Sequence, residues 1–161
     1  MSTNRVRSSG ASPFRDLNIL YLALLLGQLM IVATMIFILQ GEEIGFSFDV
    51  SNVFHLVGVG VMMTNVTLAN FLYSKRIEEA RKQKGLASKF EHYRATMILR
   101  SALLEGAGLM CIVFFFLEKN YFFLILFLLG LAVFILVRPS KQFFKEKYKL
   151  TEEERMQFKK W

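Results

Sequence analysis

The chain has 161 residues, 54 % of them hydrophobic and 20 % charged, and a formal net charge of +7. An apolar content this high excludes an intrinsically disordered chain, while the totals alone separate a soluble domain only weakly from a membrane protein, since soluble domains carry about a quarter charged residues. The distribution decides: no charge falls within residues 17–41 or 50–74, and residues 120–137 are nearly all Leu, Phe, Ile and Val.

Residues 1–16 are rich in Ser and Arg, contain Gly10 and Pro13, and show no helical apolar period, which predicts a flexible tail. A first membrane span is expected over 18–40, because a helix of roughly 20 apolar residues crosses a hydrocarbon core of about 30 Å. Arg5, Arg7 and Arg15 precede it as they would a secretory signal, yet the run exceeds the roughly 7–15 residues of a signal core and no Ala-x-Ala-like site follows. It is therefore expected to be retained.

A link containing Glu42, Glu43 and Asp49 leads to a second span over 52–73. The segment 74–94 is the longest polar stretch and holds seven Lys and Arg against Glu78, Glu79 and Glu91. It should extend the second helix and break near Gly85. A third span over 95–117 is interrupted by Arg100 and Glu105, and a turn at Glu118, Lys119 and Asn120 leads into a fourth over 121–137. Arg138 and Pro139 end it, as a basic interfacial residue and a proline should. After Pro139, Thr151 and Glu154 have the spacing of a capping box, so a short helix is expected from Glu152, either at the interface or within a partly ordered cytoplasmic tail. The aromatic residues and lysines of 139–161 would suit the headgroup region.

Orientation follows from counting basic residues. The tail, the middle loop and the C-terminal segment counted from Arg138 hold three, seven and eight Lys and Arg, the 41–51 link none and the 118–120 turn one. The positive-inside rule places both termini and the basic loop in the cytoplasm. Confinement of the basic residues to one side accounts for the net charge through topology and anionic lipid, without a nucleic-acid partner. The expected fold is all-α, a bundle of four transmembrane helices over 17–138.

Polar residues at membrane depth are costly, so they mark candidate sites. With a rise of about 1.5 Å per residue, Gln28, Thr64, Asn65 and Glu105 fall within roughly 5 Å of the midplane. Glu105 is the candidate proton- or cation-carrying group, because burial raises a carboxyl pKa. Arg100 lies about 140° round the helix from it and should snorkel to the headgroups, as Arg138 does. The partners of Glu105 are then expected among Ser101, one turn back, and Gln28 and Asn65 on other helices. The same groups could instead only bond across the bundle and hold it together. Pairs of small residues four apart, Ala102 and Gly106, Ala107 and Cys111, Ala23 and Gly27, Gly60 and Thr64, are expected to let helices approach closely. His55 and His92 are expected at an interface and in the exposed loop. Cys111 has no internal disulfide partner and reads as a small buried side chain.

No Gly-rich phosphate loop, metal-ligand spacing or Ser, His and Asp set is present, so an enzyme, a metal and a cofactor are not expected. From Tyr93 to Pro139, with Arg94, Arg100, the run Ala102, Leu103, Leu104, Glu105, Gly106, then Asn120, Tyr121 and Arg138, Pro139, Ser140, Lys141, the chain resembles uncharacterised small four-span proteins of bacterial inner membranes of the kind found in Bacteroidota. That resemblance implies fold and location. Ala102 to Leu109 is also similar to the ion-carrying helix of rotary ATPase c subunits, which implies a proton site at Glu105. Two functions are expected: a small transport or proton/cation-coupling protein using Glu105, or a non-catalytic scaffold or accessory subunit. Either would sit in the bilayer with anionic lipid, as a homo-oligomer or beside a partner membrane protein.

Overall fold

A computed structural model describes residues 13–80 and 82–158. Among these the chain is all-helical, with six helices and a single isolated bridge between Gly45 and Asn120. They are α1 (Pro13–Ile38), α2 (Val53–Ala80), α3 (Leu86–Glu118), α4 (Tyr121–Leu136), α5 (Lys141–Lys147) and α6 (Glu152–Phe158).

Local chemistry explains most boundaries. Pro13 opens α1, where its missing N–H costs nothing. The Asn52 side chain accepts from the Phe54 N–H at 2.9 Å and caps α2. Between α2 and α3 the chain reverses at Gly85, whose φ of 88° suits a residue without a side chain. Lys119 closes α3 in the left-handed conformation, and the Asn120 side chain accepts from the Phe122 N–H at the start of α4. Thr151 and Glu154 form the expected capping box: the Glu154 N–H donates to Thr151 Oγ1 and the Thr151 N–H to Glu154 Oε2.

At about 1.5 Å per residue, α1, α2 and α3 are about 39, 42 and 50 Å long. Each is long and apolar enough to cross a membrane. α4 has 16 residues and reaches only about 24 Å; it qualifies as a fourth span only together with α5, which is bent from it by 67°. The helices also continue past the apolar runs, α1 beginning at Pro13 inside the expected tail, whose residues 1–12 lie outside the described part.

Helix α3 is the axis of the bundle, packing against α1, α2, α4 and α6. Its buried side chains join stacked layers, from Phe114 and Phe115 beside Phe123 at one end, through Cys111 and Ile112 beside Met62 and Phe127, then Leu104 beside Tyr21 and Phe134, to Phe90, Tyr93 and Met97 at the other. The outer perimeter is apolar as well: Met30, Phe37, Met63, Leu129 and Leu136 are all exposed, Leu136 to 83 %. Continuous exposed apolar surface on this scale marks a contact with something other than water.

The last layer is larger than expected. Phe144, Tyr148, Leu150 and Phe158 of the C-terminal segment turn inward and pack with Phe14, Ile77, Phe90 and Tyr93, where the sequence suggests headgroup contacts. Phe143 and Met156 remain exposed, and Trp161 lies outside the described residues. The result is a folded cap that gathers the start of α1, the end of α2, the start of α3, and α5 and α6.

Candidate functional site

The five polar side chains expected to meet at mid-depth do not form one hydrogen-bonded group. Thr64 is exposed and Asn65 donates to the Val61 carbonyl of its own helix at 2.9 Å. Ser101 is buried on the α1-facing side of α3, near Leu17, Tyr21 and Leu24. Glu105 is half-buried and accepts no hydrogen bond among the described residues. Gln28 is 2 % exposed and its Nε2 is buried without an acceptor. Its Oε1 lies against Gly108, where an added Cβ would stand 3.1 Å from it, so a side chain there would press the amide aside by a few tenths of an ångström. Close approach runs through Gly58, Gly108 and Gly130, while a Cβ on Gly27, Gly60 or Gly106 would meet nothing within 4 Å. The small-residue pairs built on those three therefore do not bring helices together.

Arg100 does not extend away from the bundle. Its Nη2 donates to Asn70 Oδ1 at 2.5 Å, its guanidinium lies 4.3 Å from the centre of the Tyr73 ring, and its Nε is buried without an acceptor. It lines a cleft of about 100 Å³ together with Arg138, Tyr73 and Tyr93. The two expected interfacial cations are thus brought to one place.

Two ordered polar clusters lie at opposite ends. At the α3–α4 turn, Asn120 Oδ1 accepts from the N–H groups of Phe122 at 3.0 Å and Ser47 at 3.3 Å, while its Nδ2 donates to the Ser47 carbonyl at 2.9 Å. Those bonds fix the amide, so Nδ2 also faces His55 Nε2, at 3.0 Å, as a donor. Nδ1 on the other side of the ring faces the Asp49 N–H at 3.0 Å, with the Asp49 carbonyl at 3.1 Å, so the Asp49 backbone and the Asn120 amide hold the two nitrogens of the imidazole. His55 is 1 % exposed among the rings of Phe48, Phe122 and Phe123; its burial comes from partners distant in sequence. The neighbouring Asp49 carboxyl is held below its ordinary value by bonds from the Ser51 hydroxyl and N–H, and Lys119 pairs with Glu42 at 2.8 Å.

At the other end, Lys89 Nζ donates to Glu154 Oε2 at 2.6 Å, with both side chains largely buried. Burial pushes the Glu154 carboxyl up, but the Lys89 bond, the Thr151 N–H and the Lys89 charge outweigh it and hold it below the ordinary carboxylate value. Tyr148, in the same cap, is raised by burial. Half-buried His92 faces the Tyr148 hydroxyl at 3.4 Å, in place of the exposed position expected.

Among the described residues no three His, Cys, Asp or Glu side chains gather as metal ligands. What fold and site define is an all-helical bundle with three, or with the bent pair four, helices suited to a membrane, and with a folded cap at one end. No family model, curated protein or solved structure matches the chain.

Proposed function

We propose that this is a multi-pass protein of a bacterial inner membrane, with both termini and the α2–α3 loop cytoplasmic, serving as a non-catalytic scaffold or accessory subunit. The observation that carries the reading is the division of its surface. The perimeter of the long helices is apolar, and the end that gathers the basic segments is a packed, ion-paired cap. A chain built this way presents a stable cationic platform to anionic lipid and to a partner membrane protein or a second copy.

A second reading, proton or cation coupling through Glu105, is favoured by the half-buried, unbonded carboxyl lying one turn before Gly108, against which the unpaired Gln28 amide rests. Reconstitution in liposomes separates the two. Under the scaffold reading, a pH gradient across vesicles holding the wild type decays no faster than across empty vesicles, and Glu105→Gln changes neither decay nor assembly. Faster decay in the wild type, abolished by Glu105→Gln, would put the coupling reading in its place.

A further inference from the structure

α1 makes its broad helix–helix contact with α3, and α4 turns away at Arg138, Pro139 and Ser140 to begin α5. Between them a groove of about 540 Å³ remains open, lined by Asn18, Tyr21, Leu22, Leu25, Ile135 and Arg138 among others. It runs on into a second open stretch of about 360 Å³ with Arg15 on its wall, the two sharing Asn18, Leu22 and Lys141. The corner is held in shape: the Ser140 N–H donates to the Tyr93 hydroxyl at 3.1 Å, and Tyr21 stacks on Phe134 while its hydroxyl donates to the Phe134 carbonyl.

The walls change character in one direction. Along α1, Arg15, Asn18, Leu22 and Leu25 recur at helical spacing on one face, passing from cation to amide to aliphatic over about 15 Å. On the opposite wall Arg138 is followed, three residues back and deeper along α4, by Ile135. No carboxylate lines either stretch. Arg15 and Arg138 are exposed and have no ion pair among the described residues.

We infer that this groove is a binding site for one anionic glycerophospholipid, its phosphate between Arg15 and Arg138, its glycerol region beside Asn18 and an acyl chain along Leu22, Leu25 and Ile135. Guanidinium groups recognise phosphate by paired hydrogen bonds, and the aliphatic continuation distinguishes a lipid from a free phosphate, which would leave that wall exposed. The inference rests on the membrane-spanning reading, which sets Arg15 and Arg138 at headgroup level.

The test uses the whole chain in nanodiscs of equal parts phosphatidylglycerol and phosphatidylcholine, released into the mass spectrometer. The expected result is one phosphatidylglycerol retained per chain. Arg15→Gln/Arg138→Gln should weaken retention roughly thirtyfold, as loss of two surface cations implies. Lys82→Gln/Lys84→Gln, which removes the same charge from exposed positions elsewhere, should leave it unchanged, and Leu22→Trp, which fills the aliphatic part without altering charge, should reduce it. Equal weakening by both charge-removing pairs, equal retention of phosphatidylcholine, or displacement of the lipid by soluble glycerol 3-phosphate would overturn the site. Extraction of the wild type from membranes by alkaline carbonate would instead remove the membrane reading beneath it, whereas a carbonate-resistant chain that retains no phosphatidylglycerol sinks the site alone.

Discussion

Asn120 shows how much one amide can organise. It caps α4, ties the 45–49 segment to the α3–α4 turn and satisfies a buried imidazole. Asn120→Ala removes a cap, a loss of about 1 kcal/mol, and orphans buried groups at a further cost of about 1–3 kcal/mol. Asn120→Asp keeps an oxygen for the Phe122 and Ser47 N–H groups but loses the donors to the Ser47 carbonyl and His55. Thermal unfolding in detergent should therefore rank the wild type above Asn120→Asp and Asn120→Ala lowest; equal midpoints for the two variants would show that the cap bonds are not the larger part. Gln28 is the opposite case. Its buried Nε2 bonds to nothing, so Gln28→Leu, of comparable size and without an amide to desolvate, should leave the midpoint unchanged or higher. A clear loss of stability would mean that the amide has a partner in the assembled protein.

The cap depends on short elements that could not persist alone. α6 has seven residues, well under the length at which an isolated helix is stable in water, and it is held by the Lys89–Glu154 pair and by Phe158 against Phe14 and Phe144. Lys89→Met leaves a carboxylate largely buried without its cation and should release α6, read as faster amide exchange over 152–158. Lys89→Met/Glu154→Gln should recover protection, because the amide oxygen can still accept from the Thr151 N–H and no charge is left unpaired. Since the Glu154 carboxyl lies below its ordinary value in the folded state, its contribution is fully present above the ordinary carboxylate range and is lost as pH falls through its folded value. Protection over 152–158, taken relative to the intrinsic exchange rate at each pH, should fall on acidification in the wild type and stay flat in the double variant. The existence of α6 was legible because a capping box lies within four residues of sequence, and the long helices were legible because apolar runs are local. The destination of Phe144, Tyr148 and Phe158 was not: an aromatic residue among lysines has the same pattern whether it meets headgroups or a core built from α1 and α3. For the same reason His55 and Asn120, 65 positions apart, carried no shared signal, and the alignment of Gln28 and Glu105 by depth could not reveal that no hydrogen bond joins them.

At the scale of the molecule, the unequal helices pose a geometric problem for any bilayer. α1, α2 and α3 exceed a hydrocarbon core of about 30 Å, whereas α4 at about 24 Å falls short of it. A short span is accommodated by local thinning or by flanking residues that reach the interface, and Arg138 together with the turn at Lys119 and Asn120 stands where such residues are needed. The long helices need not tilt to the same degree, because their excess length lies at the cap end, where the end of α2 and the start of α3 contribute Ile77, Ala80, Leu86 and Phe90 to the cap core. The cap holds the basic segments, and the acidic 41–51 link lies at the far end beside the α3–α4 turn, so the proposed orientation, with the cap in the cytoplasm, is open to a direct test. Cys111 is 1 % exposed, so the native chain is a silent background for single cysteines. Lys82→Cys should react with a membrane-impermeant maleimide only after cells are opened, and Glu43→Cys in intact cells once the outer membrane is permeabilised. Labelling of both positions before lysis of the inner membrane would contradict the orientation. Protection of both until the bilayer is dissolved would be incompatible with the solvent exposure of either loop, and with it the division of the surface into an apolar belt and two wet ends.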